Sequence, residues 1–103
     1  MNLGRTIRDI RKRQGLTQLA LADAAGISRT SMSQIENGVR PGEETLKSIC
    51  TALQVPESLL YIHSMEKEDV PESKRILYDQ LFPVIQEMIQ RVAGEETENN
   101  AAS

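Results

Sequence analysis

Apolar residues recur at intervals of three and four along the first 62 residues, which is the spacing of amphipathic helices around a shared core. Residues 3–14 form the first such segment, and Leu3, Ile7 and Ile10 lie on one face of it. Gly15 follows as a helix stop. The pattern predicts an all-α fold whose first helix buries one apolar face.

Residues 17–38 predict two short helices joined by a tight turn. Thr17 and Ser28 are suitable N-caps for the two helices, and Gly26 and Gly38 are suitable stops. The first helix has an apolar face made of Leu21, Ala22 and Ala25. Because helices this short are unstable alone, they need a scaffold, and the segment is typical of a helix-turn-helix.

The second helix of this pair has an inward apolar side formed by Met32 and Ile35. Its opposite side carries short polar side chains and one arginine: Arg29, Thr30, Ser33, Gln34 and Asn37. Arginine can fork onto guanine, glutamine can pair with adenine, and a threonine methyl can contact a thymine methyl. On periodicity alone, this face fits either DNA base reading or ordinary solvation.

The pattern TQ-x-x-LA-x-x-AGIS-x-x-x-x-S-x-IENG resembles the helix-turn-helix of the lambda-repressor-like, Cro/XRE-type DNA-binding family, and the likeness extends over residues 3–62. The resemblance implies a five-helix domain that presents residues 28–37 to the major groove. It also implies an ion pair between Arg11 and Glu36, where the alternative is two separate surface charges. The implied DNA contacts divide into base readers (Arg29, Thr30, Ser33, Gln34) and phosphate binders (Gln18, Asn37, Arg40).

Two further helices complete the predicted domain, residues 1–63. The fourth starts at Gly42 or Glu43 and has an apolar face made of Leu46, Ile49, Cys50 and Leu53. Cys50 is therefore expected in the core rather than as a reactive thiol. Pro56 starts the fifth helix, from which Leu59, Leu60 and Ile62 are expected to return to the core. His63 is expected at the surface.

Three segments follow this domain. Residues 64–70 are a polar linker, residues 71–93 a helical extension, and residues 94–103 an acidic tail that we expect to be flexible. Asp69 and Glu72 have the spacing of a capping box around the start of the extension. Pro83 interrupts the helical period, so the extension is either one kinked helix or two short ones.

The extension carries a wide apolar stripe, for which two uses remain open. We predict a homodimerisation surface that includes Leu77, Tyr78, Leu81, Phe82, Ile85, Met88 and Ile89. The alternative is a fold-back onto the domain, against Leu19. A homodimer would place two recognition helices on an operator with inverted-repeat symmetry.

Charge and composition limit the classes of function that the chain can have. The chain has a net charge of −3, but residues 1–63 carry eight Lys/Arg against six Asp/Glu, and residues 64–103 carry four against nine. The mildly basic first part is compatible with nucleic-acid binding. The lone cysteine excludes an internal disulfide, and neither a targeting nor a membrane-spanning segment is present, so a cytoplasmic protein is expected.

The sequence therefore predicts a sequence-specific DNA-binding transcriptional regulator, a repressor or autoregulator, with double-stranded operator DNA as partner. An enzyme is not expected, because the single histidine is distant in sequence from the serines, and no cofactor or metal is predicted. Two alternatives remain. One is an antitoxin-type regulator whose C-terminal region binds a partner protein, and the other is a protein-interaction adaptor built on the same fold.

Overall fold

The computed structural model describes residues 1–94, and these form an all-α structure. The six α-helices are α1 (Leu3–Arg13), α2 (Gln18–Ala25), α3 (Arg29–Glu36), α4 (Glu43–Leu53), α5 (Glu57–Ser64) and α6 (Arg75–Gly94). Two single-turn 3₁₀ helices, Lys67–Asp69 and Glu72–Lys74, connect α5 to α6. The predicted all-α fold class, five helices plus a helical extension, is confirmed.

Local capping fixes the boundaries of the central pair of helices. The Thr17 hydroxyl accepts a hydrogen bond from the Ala20 amide at 3.0 Å, and the Ser28 hydroxyl accepts one from the Ser31 amide at 3.0 Å. Gly26 ends α2 with φ of +71°, a conformation that side chains with a Cβ rarely adopt. These caps set the turn that carries the chain from α2 into α3.

The core lies among α1 to α5 and is aliphatic. Its fully buried large side chains are Ile7, Ile10, Leu21, Met32, Ile49, Leu53 and Leu60. The apolar faces predicted for α1 to α4 are all buried in this core, and Cys50 is buried as part of the α4 face. Ile62 was predicted to join them, but it is 44% exposed, because it lies on the outer side of α5.

Helices α1 and α3 approach closely at Gly4. A Cβ at this position would collide with the carbonyl oxygen of Ile35 and come within 3.1 Å of that of Glu36. The absence of a side chain therefore lets the start of α1 lie directly against the end of α3. This contact holds the C-terminal end of α3 on the scaffold.

Helix α6 is a single helix with Pro83 inside it. A proline inside a helix removes one backbone hydrogen bond and typically destabilises the helix by about 3 kcal/mol. Burial compensates, since Phe82 is only 5% exposed and its ring stacks on that of Tyr78 at 4.6 Å between centroids. The Tyr78 hydroxyl also donates to the Met65 carbonyl at 3.1 Å.

One face of α6 thus folds back onto the domain, where it contacts α1 and α5. The fold-back does not involve Leu19, which is 53% exposed. The predicted capping box at Asp69 and Glu72 is also wrong, because the Asp69 carboxylate accepts from the Glu66 amide instead, at 2.8 Å. The predicted tail lies outside the described residues apart from Gly94, the last residue of α6.

His63 is buried, contrary to the expectation from the sequence. Its residue exposure is 6%, and neither ring nitrogen has a hydrogen-bond partner among the described residues. Burial lowers the pKa of His63, and the charge of Arg13 lowers it further against the opposing effect of Asp9. The ring is therefore neutral near pH 7 and belongs to the packing between α1 and α5.

Within residues 1–94, none of the helices combines the length and the apolar character needed to cross a bilayer.

Candidate nucleic-acid interface

The outer face of α3 is polar and accessible. Met32 and Ile35 point into the core, as the helical period predicts. The side chains of Arg29, Thr30, Gln34 and Asn37 are exposed, and that of Ser33 is half-buried. Together with Gln18, four of the outer residues line one shallow depression of about 280 Å³: Arg29, Thr30, Ser33 and Gln34. The structure thus brings the predicted base readers together beside the start of α2.

Two short helices hold this face outward. Ile27, in the turn between them, is half-buried against the core, and its amide donates to the Ala22 carbonyl at 3.0 Å. The left-handed conformation of Gly26 makes that backbone bond possible. The position of α3 is therefore set by the turn at its start and by the contact with Gly4 at its end.

Glu36, on the inner side of α3, is the centre of a buried polar cluster. Its carboxylate accepts two hydrogen bonds from Arg11, from Nε at 2.7 Å and from Nη2 at 3.0 Å. It also accepts from Gln18 Nε2 at 3.1 Å, and Arg8 Nε lies 3.6 Å away. Arg11 further donates to the Leu16 carbonyl at 2.8 Å. The structure therefore contains the predicted ion pair, in bidentate form.

This cluster keeps Glu36 charged in spite of its burial. Burial alone would raise the pKa of the carboxyl group, but hydrogen bonds from Arg11 and Gln18 and the charges of Arg11 and Arg8 hold the pKa below its usual value. The anion is thus maintained at neutral pH. It ties α1, α2 and α3 to one point and fixes their relative positions.

The three predicted phosphate binders are distributed around α3. Gln18 begins α2 and contacts Glu36, as described above. Asn37 follows the last residue of α3, with its amide oxygen 3.3 Å from Arg8 Nη2 and its amide nitrogen 3.5 Å from Ser33 Oγ. Arg40 is exposed in the loop before α4. The Gln18 side chain contacts Glu36, the last residue of α3, and Asn37 directly follows Glu36, so the two groups lie near the same end of α3.

The predicted dimerisation set is divided between two faces of α6. Phe82 is buried against the domain, so including it was wrong, whereas Tyr78 and Ile89 are half-buried. A neighbouring face remains exposed, with residue exposures between 42% and 62%: Leu77, Leu81, Val84, Ile85, Met88 and Val92. We call these six residues the α6 apolar face.

Arg8 is a residue of the Glu36 cluster that the sequence did not reveal. It lies one helical turn before Arg11 on α1, and its Nη2 donates to the Glu36 carbonyl at 3.1 Å. The i, i+3 spacing of two arginines was the available signal. That spacing could not show which of them reaches the end of α3.

The part of the chain that contains the Glu36 cluster and α3 matches a known family. A family model described as helix-turn-helix covers residues 7–60, just over half of the chain. The transcriptional regulator ClgR of Mycobacterium tuberculosis is 39% identical over 66 residues, which are 63% of this chain and 59% of that protein. The chain thus spans about three fifths of the length of this relative.

Two other relatives extend the comparison. The HTH-type transcriptional regulator RghRB of Bacillus subtilis, itself named uncharacterized, is 32% identical over 95 residues, 87% of this chain and 68% of that protein. The competence pilus inhibition repressor of Acinetobacter baylyi is 50% identical over 38 residues, 37% of this chain and 34% of that protein. The similarity therefore includes proteins named as regulators and as repressors.

Proposed function

The chain belongs to the Cro/C1-type helix-turn-helix family of transcriptional regulators, and from this premise we propose that it is a repressor or autoregulator that reads an operator with α3. The names of its relatives support a regulator rather than an antitoxin or an adaptor. The proposed role is one of binding and not of catalysis. Its proposed site of action is the cytoplasm, where bacterial DNA lies.

The observation that carries this proposal is the exposed polar face of α3. Arg29 can donate two hydrogen bonds to guanine, and Gln34 can donate and accept on adenine. Thr30 and Ser33 add short hydroxyl side chains between them. The helix is held at both ends by the scaffold, so these groups are presented on a rigid element, which limits the entropy lost on binding.

Phosphate contacts set the register of a recognition helix, whereas base contacts set its sequence preference. We assign the first role to Gln18, Asn37 and Arg40. Gln18 opens α2, where backbone amides and the helix dipole favour an anion. Asn37 directly follows Glu36, which the Gln18 side chain contacts, so the two groups would bind the DNA backbone near the C-terminal end of the recognition helix.

The α6 apolar face supports the second part of the proposal, a homodimer on an inverted repeat. Leu77, Leu81, Val84 and Met88 follow the 4-3-4 spacing of a helix-pairing seam. One recognition module buries only about 600–1,000 Å² on DNA, which is little for repressor affinity. Two modules joined through α6 would bind half-sites about 34 Å apart.

Sedimentation of the full-length protein tests the dimer. We expect the double variant Leu81→Asn/Met88→Asn to be monomeric at concentrations where the unsubstituted protein is dimeric. Ile76→Asn is the matched control, because Ile76 is 72% exposed and lies on another side of α6. An unsubstituted protein that remains monomeric at high micromolar concentration would refute the dimer.

Mapping the bound DNA across the genome tests the regulator itself. We expect a small number of sites that share an inverted repeat, and binding in vitro that survives competition by random DNA. A neighbouring toxin-like gene whose product binds α6 would instead support the antitoxin. Uniform, sequence-independent occupancy would contradict specific reading by α3.

A further inference from the structure

Arg8 reaches from α1 to the C-terminal end of α3. Its Nη2 donates to the Glu36 carbonyl oxygen at 3.1 Å and to the Asn37 amide oxygen at 3.3 Å. Its side chain is 37% exposed, whereas that of Arg11 is 9% exposed. Arg8 therefore lies at the rim of the Glu36 cluster, on the solvent side and next to Asn37.

The charges of this cluster do not balance. Two guanidinium groups share one carboxylate, and Arg11 holds it with Nε at 2.7 Å, against 3.6 Å for Arg8. Because an arginine stays protonated at all physiological pH values, the three groups carry one surplus positive charge. That charge is concentrated on Arg8, the partner that is farther from Glu36 and more exposed.

The end of a helix explains why a cation is needed at this place. The last turn of a helix has unsatisfied carbonyl groups and a partial negative charge, which repels anions. A DNA phosphate held by Asn37 would approach this unfavourable end of α3. Arg8 donates to one of the terminal carbonyls and supplies the missing positive charge.

Arg8 also orients Asn37. The guanidinium group of Arg8 donates a hydrogen bond to the amide oxygen of Asn37. The amide NH₂ group of Asn37 therefore faces away from Arg8, and its nitrogen lies 3.5 Å from Ser33 Oγ. That NH₂ group is then positioned to donate to an incoming phosphate oxygen. An arginine has five N–H donors, and the hydrogen bonds of Arg8 within residues 1–94 use only Nη2.

We propose that Arg8 is a phosphate-binding residue, which holds one DNA phosphate together with Asn37 at the C-terminal end of α3. The inference rests on the proposed function, because it assigns a further contact to the same interface. Its ligand is a phosphodiester of the DNA backbone and not a base edge, so it adds affinity without sequence preference.

The salt dependence of DNA binding tests this role in the full-length protein. Each neutralised phosphate contributes about 0.9 to the slope of log K against log salt concentration for duplex DNA. We expect Arg8→Gln to make the slope shallower by about 0.9 for each protomer bound, equally on operator and on random DNA. Arg8→Lys keeps the charge and should restore most of the slope.

Arg13→Gln is the matched control. It removes the same charge from the same helix, but Arg13 is exposed and, two residues after Arg11, lies on another side of α1. Its slope should equal that of the unsubstituted protein. Urea unfolding of all three variants shows whether they fold, and Arg8→Met, which also removes the charge and has the same expected slope, takes the place of Arg8→Gln if that variant does not fold.

Four results are decisive. A shallower slope for Arg8→Gln alone, with recovery in Arg8→Lys, supports the role. An unchanged slope for a folded Arg8→Gln overturns it, as does an affinity loss confined to the operator. A protein that binds DNA at no salt concentration would instead overturn the proposed function, together with this inference.

Discussion

Removal of the Glu36 carboxylate is expected to destabilise the fold strongly, although it deletes a negative charge near the DNA-binding face. Glu36 is 4% exposed and accepts hydrogen bonds from Arg11 and Gln18. In Glu36→Ala, the guanidinium of Arg11 would stay buried, with the Leu16 carbonyl as its one remaining hydrogen-bond partner among residues 1–94. Breaking a buried pair in this way costs about 3–5 kcal/mol, whereas an exposed pair contributes at most about 1 kcal/mol.

The lower part of that range is expected here, because Arg11 retains its bond to Leu16. A loss of about 3 kcal/mol is a large share of the roughly 5–15 kcal/mol that stabilises a typical domain. For a chain of this size each kcal/mol lowers the melting temperature by about 4–8 °C. Urea and thermal unfolding, followed by far-ultraviolet circular dichroism, would measure both quantities.

Glu87→Ala provides the matched control. Glu87 pairs with Arg91 at 3.8 Å, but both side chains are at least 66% exposed. Such an i, i+4 pair contributes only about 0.2–0.5 kcal/mol. An unfolding midpoint that is equally little changed in Glu36→Ala and Glu87→Ala would refute the idea that Glu36 holds α1, α2 and α3 together.

Three other predictions concern single sites. Gly4→Ala should lower stability by about 1–3 kcal/mol in urea unfolding, through overpacking against the Ile35 carbonyl. The pKa of His63 is lowered in the fold, so the unfolded chain binds the proton first. Stability should fall as pH drops below about 6.5, the ordinary histidine value, and His63→Leu should abolish that loss in a urea titration between pH 7.5 and 5.5. Burial raises the pKa of Cys50 to about 11, so an alkylating reagent at pH 8 should modify this thiol only in urea, and rapid modification of the folded protein would contradict its burial.

The sequence predicted most of the helix-turn-helix because its signals are local. Thr17, Gly26 and Ser28 each mark a helix end by their own backbone or side-chain chemistry. The apolar period then places Met32 and Ile35 inward. These features need no knowledge of other parts of the chain, and the structure shows each of them as predicted.

Features that depend on contacts between distant segments were missed. The burial of His63 follows from the packing of α5 on α1, which helical periodicity within α5 alone does not show. The reach of Arg8 to the end of α3 depends on how closely Gly4 lets α1 approach. Each is set by the distance between two helices and not by either helix alone.

Helix α6 illustrates a second limit of periodicity. Its apolar residues form one wide stripe in the sequence, and both homodimerisation and fold-back were reasonable uses of it. The structure divides the stripe, because Phe82 packs on the domain while Leu81, its neighbour, is 57% exposed. A helical wheel shows that both are apolar but cannot show which of the two meets the domain.

Arg29→Ala most directly tests the claim that α3 reads DNA sequence. If Arg29 makes a bidentate contact with guanine, its loss should weaken operator binding by about 1–3 kcal/mol and change binding to random DNA much less. Arg13→Ala, an exposed arginine away from this face, should leave the ratio of the two affinities unchanged. Equal losses on operator and random DNA for Arg29→Ala would contradict base reading at this position and make Arg29 a phosphate contact.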